Sequence, residues 1–311
     1  MERAAIIDSI EELVGSTPLL RLPLGGSGTV VLAKLEMANP LGSVKDRAAL
    51  FMLDAAEERG DLVRGSGTVV EATSGNTGIA LAALAARRGY RCIVVLPESA
   101  TPERIGLLRL LGAEVVQVPT EGAYRACVEK AREIKAATPG AWYMCQHDNT
   151  DNVRAHYSTT GPEIAAATGG DIDVLVCGVG TGGTLTGVAR YLKEHHPGVH
   201  VVAVEPESSP LLSRGVAGTH KIPGYNGGFT AETTDRTLID EVMTVSDEDA
   251  LRGATGLART AGLLAGISAG AAMHACSLLA EKPEYTGKTL VTILPDTGER
   301  YLSMTVGGAA R

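Results

Sequence analysis

Lys45 lies in the segment NPLGSVKDRAAL, residues 39–50, where a turn leads into a predicted helix. The proline and glycine favour a turn, and Ser43 is a good N-cap residue, so Lys45 falls in the first helical turn. The helix dipole favours cations at the opposite end of a helix. This position therefore favours a neutral amine, which can attack a carbonyl carbon. The alternative interpretation is a solvated lysine beside an Asp46–Arg47 charge pair, and the segment alone leaves both open.

A second junction, EATSGNTGIALA, places small polar residues between a predicted strand and a predicted helix. They are Thr73, Ser74, Asn76 and Thr77. The first amides of a helix lack internal partners, and the helix dipole favours anions there. The junction therefore predicts a site for a carboxylate or a phosphate. An ordinary capped loop is the alternative, because serine, asparagine and glycine are also common in turns.

A third junction, VCGVGTGGTLTG, is rich in glycine and also lies between a predicted strand and a predicted helix. Gly178, Gly180 and Gly183 match the spacing GxGxxG, and Glu205 ends a strand about twenty residues later, as in dinucleotide-binding proteins. The junction predicts a phosphate site but does not identify the molecule that carries the phosphate. An enzyme that uses a nicotinamide or flavin dinucleotide is one alternative, and a purely structural turn is another.

The three junctions can form one site only if a β-sheet places them at the same edge. Apolar runs typical of strands, such as GTVVEAT and RCIVVLP, alternate with helical patterns along most of the chain. This order predicts an α/β protein with βαβ units, a mainly parallel sheet and helices on both faces. Ligands bind beyond the carboxyl ends of the strands in such sheets, where the junctions lie. Residues 207–235 are rich in Gly, Ser, Thr and Pro, which predicts a long loop over a cleft.

The composition limits the classes of partner and compartment. With 28 basic and 36 acidic residues, the net charge of −8 argues against binding of nucleic acid. The five cysteines include no CxxC pair, which predicts reduced thiols without disulfides or a metal site. His195 and His196 precede a proline, so we interpret them as a helix terminus and not as metal ligands. The N-terminus lacks a signal-peptide pattern and no apolar run reaches about 20 residues, so we expect a cytoplasmic protein without a membrane partner.

Eight motifs, taken in order, resemble the cysteine synthase (O-acetylserine sulfhydrylase) family of pyridoxal-phosphate enzymes. They are LVGSTPLLRL, NPLGSVKDR, TSGNTGIALA, TTGPEI, GVGTGGTLTGV, AVEPESSPLL, GISAGA and LPDTGERYL, and they span nearly the whole chain. The resemblance implies fold type II, as in the β subunit of tryptophan synthase, with two interleaved lobes, each a mainly parallel twisted sheet flanked by helices. It implies a smaller lobe, residues 35–149, with the loop for the substrate carboxylate. The larger lobe, residues 1–34 and 150–311, would carry the phosphate loop.

The resemblance also implies roles for residues at the junctions. Lys45 would hold pyridoxal 5′-phosphate as the internal Schiff base, and Ser268 in GISAGA would face the pyridine nitrogen. The cofactor phosphate would lie on Gly180, Thr181, Gly182, Gly183 and Thr184. The substrate carboxylate would lie on Thr73, Ser74, Asn76, Thr77 and Gln146, with Asn76 also bonding the pyridoxal hydroxyl. A dinucleotide site would leave Lys45 and the second junction without a role.

The implied reaction is β-replacement, in which L-cysteine forms from O-acetyl-L-serine and sulfide by a ping-pong mechanism through an α-aminoacrylate. The alternatives with the same chemistry are another donor, O-phosphoserine, or another nucleophile, as in cystathionine β-synthase and the β-substituted alanine synthases. A binding protein that keeps the fold without turnover is a further alternative. The resemblance also implies a homodimer and, as a partner, the C-terminal tail of serine acetyltransferase.

Two departures from the family pattern bear on the choice of substrate. His147 in CQHDNTDN replaces an aromatic residue, and its imidazole can donate hydrogen bonds and titrate near neutral pH. Tyr225 and Asn226 in IPGYNGGF add bulk and polarity to the predicted entrance loop. We therefore treat His147 and Tyr225 as candidates for specificity, although a tolerated exchange of one ring for another also explains His147.

Overall fold

The structure is a computed structural model that describes residues 6–22, 28–73, 75–120 and 123–305. Contacts divide the chain into two compact units. The smaller unit comprises the described residues within Met1–Ser16 and Ala38–Met144, and the larger unit comprises those within Thr17–Met37 and Cys145–Arg311. The chain enters each unit twice, so the two units are interleaved along the sequence.

Ten strands lie within the described residues and are numbered in chain order. They are β1 (Leu19–Leu22), β2 (Val30–Leu35), β3 (Thr68–Ala72), β4 (Arg91–Pro97), β5 (Glu114–Val118), β6 (Ala141–Tyr143), β7 (Val174–Gly178), β8 (His200–Pro206), β9 (Glu241–Val245) and β10 (Thr289–Leu294). The α-helices of the same residues are α1 (Lys45–Arg59), α2 (Asn76–Arg88), α3 (Pro102–Leu110), α4 (Ala123–Ala137), α5 (Asp151–Ala155), α6 (Gly161–Thr168), α7 (Gly183–His195), α8 (Leu211–Arg214), α9 (Asp247–Ala261), α10 (Ile267–Ala280) and α11 (Leu302–Thr305). A π-helical turn, His156–Thr160, joins α5 to α6.

The sheet of the smaller unit has the strand order β5–β4–β3–β6, and the neighbouring strands are parallel. Alternate residues of the two central strands face opposite sides of this sheet. Val69 and Val94 pack with helices α1 and α2, whereas Val70 and Val95 pack with α4. Helices therefore cover both faces, which is why the central strands are mostly apolar, although β3 also buries Glu71.

The sheet of the larger unit has the strand order β1–β2–β10–β7–β8–β9. Its strands run parallel, except that β1 pairs antiparallel with β2 at one edge. Val176 and Val204 pack with helices α9 and α10 on one face, whereas Leu175 and Val201 pack with α6 and α7 on the other. The predicted fold class, with mainly parallel sheets flanked by helices, is confirmed.

Residues 6–16, the N-terminal segment, belong to the smaller unit, and residues 35–37 and 145–149 belong to the larger unit. The sequence-based division instead puts residues 1–34 in the larger lobe and residues 35–149 in the smaller lobe. Arg88, at the end of α2, is 5% exposed and donates to Glu11 from Nε at 2.8 Å and from Nη2 at 3.2 Å. The Gly15 amide donates to Asn39 Oδ1 at 2.8 Å. These contacts between distant parts of the chain hold the segment, and no local sequence pattern reveals them.

The helix ends follow the signals in the sequence. Helices α1 and α2 end at Gly60 and Gly89, whose φ angles of 76° and 73° are left-handed, as glycine allows without a Cβ clash. Residues 207–235 are mostly irregular, as predicted, but they include the short helix α8. Within the described ranges, no helix combines the length and the apolar character that a membrane crossing requires.

Candidate active site

Residues Gly180–Thr184, the predicted phosphate loop, join strand β7 to helix α7 in the larger unit. The helix begins at Gly183, and its N-cap, Gly182, has a left-handed φ of 81° and makes no side-chain cap. Thr181 Oγ1 accepts a hydrogen bond from the Gly183 amide at 3.4 Å. The other amides of the first turn have no acceptor within the helix. This helix N-terminus therefore presents amide donors and a dipole that suit an anion.

Two glycines of this loop lie where a side chain does not fit. A Cβ atom on Gly182 would collide with Thr234 Oγ1, and one on Gly183 would collide with Asn152 Oδ1. The chain segments that contain Thr234 and Asn152 therefore pack directly on the loop. Close packing thus explains these glycines, and the match to the dinucleotide fingerprint does not require a dinucleotide.

Two buried oxygen atoms beside the loop have no hydrogen-bond partner among the residues that the structure describes. They are Asn152 Oδ1 and Thr234 Oγ1, the same atoms that crowd Gly183 and Gly182. Buried polar atoms without a partner are rare in native proteins and often mark a bound ligand or water. The Thr234 hydroxyl can donate to an anion, whereas Asn152 Oδ1 can only accept. The Thr234 and Thr181 hydroxyls and the uncapped helix N-terminus form a polar cradle that fits the phosphate of pyridoxal phosphate.

The π-helical turn places a buried histidine beside this loop. His156 is 1% exposed, and its Nδ1 lies 2.8 Å from Thr160 Oγ1. Its Nε2 lies 3.2 Å from Thr184 Oγ1, at the start of α7. Turns of this type occur frequently at functional sites. The sequence pattern does not reveal His156, since its only local signal is the four-residue spacing to Thr160.

Ser268 is the second residue of helix α10 and is 6% exposed. The helix follows Gly266, which makes no side-chain cap. The Ser268 carbonyl oxygen accepts a hydrogen bond from Tyr225 Oη at 3.3 Å. The serine is thus held at the start of a buried helix in the larger unit, and its contact with the ring nitrogen stays a prediction.

Tyr225 and Asn226 lie in the interior of the larger unit and do not add bulk to an exposed entrance loop. Each is 8% exposed, and Tyr225 belongs to the apolar core beside α10. Burial raises the pKa of the Tyr225 hydroxyl well above its usual value, so this group is a neutral donor. Asn226 exchanges hydrogen bonds with Ser209, at 2.9 Å and 3.1 Å. The tyrosine lies inside because Gly178 has no side chain: a Cβ there would collide with Tyr225 Oη.

Gln146 and His147 form a tight turn in the larger unit. The preceding residue, Cys145, has a left-handed φ of 52°, and its carbonyl oxygen accepts from the Asp148 amide at 3.0 Å. Gln146 is 5% exposed, whereas His147 is half-buried. The His147 ring meets Phe229 edge-on, with 5.1 Å between the ring centroids. Of the two specificity candidates, only His147 is therefore accessible from outside the core.

Glu205 caps the short helix α8 and is not available for a ribose. Its Oε2 accepts from the Leu212 amide at 2.6 Å. Its Oε1 accepts from the Ser213 amide at 3.0 Å and from Ser213 Oγ at 2.5 Å. The carboxylate is 1% exposed and lies at the helix end that favours negative charge. The residue that suggested a dinucleotide therefore has a structural role.

Lys45 is the first residue of helix α1 in the smaller unit, as predicted, and it is half-buried. The N-cap is Val44, so the prediction of Ser43 at that position is wrong by one residue. Ser43 Oγ accepts instead from the Lys45 amide at 3.2 Å. Asp46 is fully buried and closes the preceding turn, because its carboxylate accepts from the Leu41 amide at 2.7 Å and from Ser43 Oγ at 3.2 Å.

The predicted carboxylate loop lies at the start of helix α2, also in the smaller unit. The helix begins at Asn76 after Gly75, which makes no side-chain cap. Thr73 Oγ1 accepts from the Gly75 amide at 3.1 Å, and Thr77 is 2% exposed. Ser74 lies outside the described residues. The loop thus leads into a second uncapped helix N-terminus, which suits a carboxylate.

The histidine pair at the end of α7 is a helix terminus, as interpreted from the sequence. His195 is the last residue of the helix, and its ring stacks on Tyr191 with 4.1 Å between centroids. His195 Nδ1 also lies 2.8 Å from the Tyr191 carbonyl oxygen. In the part of the chain that the structure describes, no group of three or more His, Cys, Asp or Glu side chains is arranged to hold a metal ion.

Known proteins resemble this chain over almost its whole length. The sequence profile of the pyridoxal-phosphate dependent enzyme family matches residues 10–296. A cysteine synthase of Staphylococcus aureus is 42% identical over 300 residues, which cover 96% of each chain. A cysteine synthase B of Campylobacter jejuni subsp. jejuni is 44% identical over 297 residues, which cover 95% of this chain and 97% of that relative. The crystal structure of an O-ureido-L-serine synthase superposes with a TM-score of 0.95 at 39% identity, covering 99% of this chain and 97% of the other.

The match of the family profile and the identity to two cysteine synthases confirm the resemblance seen in the motifs, and with it the cofactor, pyridoxal phosphate. The chain belongs to the cysteine synthase family of pyridoxal-phosphate-dependent enzymes.

Proposed function

We propose that this protein catalyses a β-replacement in which sulfide displaces acetate from O-acetyl-L-serine and L-cysteine is formed. The observation that carries the proposal is the uncapped N-terminus of α7, with its glycine loop, the Thr181 hydroxyl and the buried Thr234 hydroxyl, which has no partner among the described residues. These groups suit the phosphate of the cofactor. The two relatives named cysteine synthase support the choice of reaction.

The larger unit supplies the groups proposed to hold the cofactor. Pyridoxal phosphate supplies an aldehyde that condenses with amines and a ring that withdraws electrons from the α-carbon of the substrate. Gly180–Thr184 bind the phosphate through backbone amides and threonine hydroxyls. Ser268 offers the ring nitrogen an uncharged hydrogen-bond partner. A neutral partner weakens the electron withdrawal by the ring, which suits elimination at the β-carbon better than transamination.

The smaller unit supplies the proposed base and part of the proposed substrate grip. Lys45 would hold the cofactor through its side-chain amine, and the same amine would serve as the base for the proton on the α-carbon of the substrate. Its place at the first residue of α1 favours the neutral amine, because the positive end of the helix dipole disfavours an ammonium group. The residues proposed to bind the substrate carboxylate are Thr73, Ser74, Asn76 and Thr77, together with Gln146 of the larger unit.

The test is a product measurement with the holoenzyme. O-acetyl-L-serine and sulfide are supplied together, and L-cysteine and acetate are quantified by mass spectrometry. We expect one acetate for each cysteine, and a stoichiometric burst of acetate when sulfide is withheld. The proposal is contradicted if no cysteine forms, or if the protein without cofactor forms it equally fast.

A second candidate function is β-replacement with another donor or another nucleophile. The half-buried His147 supports it, because an imidazole can donate hydrogen bonds that the aromatic residue of the family pattern cannot. The similarity to an O-ureido-L-serine synthase also supports it, since that relative is named for a product other than cysteine. The donor would then be O-phosphoserine, or the nucleophile another thiol, an amine or cyanide, as in a cystathionine β-synthase or a β-substituted alanine synthase.

A matrix of donors and nucleophiles separates the two candidates. The values of kcat/KM are compared for O-acetyl-L-serine and O-phosphoserine, each with sulfide, a thiol, an amine and cyanide. The largest value with O-acetyl-L-serine and sulfide supports cysteine synthesis. A His147→Phe variant that leaves all the ratios unchanged removes His147 from the choice of substrate.

We further propose a cytoplasmic homodimer that binds the C-terminal tail of serine acetyltransferase, as the family resemblance implies. Light scattering measures the mass in solution, and a monomer would contradict the homodimer. A synthetic tail peptide is titrated while the fluorescence of the bound cofactor is recorded. A response that saturates and that O-acetyl-L-serine reverses supports tail binding, and an unchanged spectrum contradicts it.

A further inference from the structure

Asn152 ties the turn that carries Gln146 to the phosphate loop. Its side chain is 2% exposed, and Nδ2 donates to the Gln146 carbonyl oxygen at 2.8 Å and to Thr181 Oγ1 at 3.1 Å. A carbonyl oxygen can only accept, so the amide must turn Nδ2 towards Gln146. Oδ1 then lies against Gly183. One buried side chain therefore touches the turn, the loop and the start of α7.

Thr233 makes a second connection between the same two segments. It is 4% exposed, and its amide and its hydroxyl donate to the His147 carbonyl oxygen at 3.2 Å and 3.1 Å. The hydroxyl also lies in hydrogen-bond contact with the Thr181 carbonyl oxygen. Its own carbonyl oxygen accepts from Thr186 Oγ1 at 2.8 Å, which fixes Thr233 to helix α7.

We propose that Asn152 and Thr233 are positioning residues that couple the binding of phosphate at Gly180–Thr184 to the order of the Gln146–His147 turn. We call this pair the Asn152–Thr233 clamp. The names of the two ligands, cofactor phosphate and substrate carboxylate, rest on the proposed function. The coupling itself needs only an anion at the loop.

The cost of breaking buried hydrogen bonds indicates that the Gln146–His147 turn and the phosphate loop become ordered together and not independently. Breaking one of these bonds would leave a buried polar group without a partner, which is costly because water does not replace it. When an anion orders Thr181, the bonds from Asn152 and Thr233 therefore restrict the turn as well. Linkage is reciprocal, so a ligand bound at Gln146 should also strengthen the retention of phosphate at the loop.

Hydrogen exchange of the full-length chain, freed of cofactor, tests the coupling with inorganic phosphate as the probe. In the wild-type protein we expect phosphate to slow amide exchange both in residues 181–185 and in residues 145–149, the latter about fivefold, the lower end for coupled sites. In Asn152→Ala and in Thr233→Val we expect slower exchange in 181–185 only. Thr233→Ser keeps the hydroxyl and should restore the wild-type response.

The reconstituted holoenzyme gives a second readout of the same coupling. We expect Thr233→Val to raise the KM for the amino-acid donor more than it lowers kcat, because the turn is positioned less well while Lys45 is unchanged. Thr168→Val is the matched control, since the Thr168 hydroxyl donates to carbonyl oxygens of its own helix, at 2.9 Å and 3.3 Å, and accepts from the Gly170 amide at 3.3 Å, all within residues 164–170. This control should match the wild type in both measurements.

Three outcomes would overturn the clamp. They are protection of residues 145–149 that persists in both Asn152→Ala and Thr233→Val, wild-type protection confined to residues 181–185, and no protection of either segment. The exchange measurement uses no substrate, so it can succeed even if the holoenzyme makes no cysteine. Failure of the clamp and failure of the proposed reaction are thus distinguishable.

Discussion

Two neighbouring ionisable residues lie at the start of helix α1, where the helix dipole favours a negative charge and disfavours a positive one. Asp46 is buried at the end that favours negative charge, and its carboxylate holds the preceding turn through Leu41 and Ser43. Lys45 occupies the same end, where a positive charge is disfavoured. Local structure therefore explains the aspartate, and the proposed reactive amine explains the lysine.

Replacement of Lys45 by alanine tests that explanation. We expect Lys45→Ala to keep the far-ultraviolet circular dichroism of the wild type and to lose at least about 10²-fold in kcat, the lower range for removal of a general base. Lys130→Ala is the control, since Lys130 pairs with the exposed Glu133 on the surface of α4. Near-normal turnover by Lys45→Ala would refute the assignment.

Tyr225 provides a second prediction for a single side chain. Its hydroxyl donates to the Ser268 carbonyl oxygen inside the core, so Tyr225→Phe should cost about 1 kcal/mol in the free energy of unfolding, as for one hydrogen bond. We expect the ratio of kcat/KM for O-acetyl-L-serine and O-phosphoserine to stay as in the wild type, because the ring is buried. A changed ratio would show that Tyr225 selects the substrate after all.

At the scale of elements, three helices differ in whether a side chain caps the backbone amides of their first turn. Helices α2 and α7 begin after glycines that provide no side-chain cap. Helix α8 begins with its amides bound to Glu205. The two helix starts without a side-chain cap follow the two predicted ligand loops, and the helix dipole favours an anion there. At α8 the Glu205 carboxylate itself supplies that negative charge.

Removal of the Glu205 carboxylate should destabilise the larger unit. Glu205→Ala leaves the amides of Leu212 and Ser213 without their acceptor, and we expect a loss of about 1–3 kcal/mol in the free energy of unfolding. Urea denaturation measures this change. Glu207→Ala, two residues on and exposed, should stay within about 0.5 kcal/mol of the wild type. Equal stability of the two variants would contradict the capping role.

At the scale of the whole molecule, the chain passes twice through each of its two units. The N-terminal segment is held in the smaller unit by Arg88, which also donates to Glu57 at 2.8 Å and to Asp54 at 2.6 Å. Arg88 lies 77 residues from Glu11 in sequence. The hydrogen bond from Arg88 lowers the pKa of the Glu11 carboxyl, although partial burial acts in the opposite direction.

This lowered pKa predicts a dependence of stability on acid. The folded protein keeps Glu11 ionised at pH values where the unfolded chain, with a pKa near 4.5, takes up a proton. The contribution of Glu11 is therefore complete above pH 4.5 and is lost as the pH falls through the lower, folded pKa. We expect Glu11→Gln to be less stable than the wild type at neutral pH, with a difference that shrinks in acid.

Thermal unfolding of both proteins over a pH series measures this difference. Glu133→Gln is the control, since Glu133 is exposed and pairs with Lys130 across one turn of α4. It should follow the wild type at every pH. A difference between Glu11→Gln and the wild type that grows in acid would have the wrong sign for a carboxylate paired with Arg88.

Local patterns in the sequence were sufficient for the main architecture and for the positions of several candidate site residues at the ends of their elements. The alternation of apolar strands with helices predicted parallel sheets, because strand and helix periods are properties of short segments. The glycine and threonine content of the loops predicted two anion sites, because turn formation and free helix amides also depend on neighbouring residues. Lys45 was predicted at the start of its helix for the same reason.

Only the tertiary structure decided which residues surround those loops. Tyr225 and Ser268 are 43 residues apart, and Thr233 and Thr181 are 52 apart. Residue types and local spacing do not determine such pairs, because they depend on how the strands order in the sheet and which loops then meet. The sequence by itself therefore determined the class of fold and which loops are proposed to bind ligands, whereas packing decided that Tyr225 lies in the core, that Glu205 caps a helix and that Asn152 connects two loops.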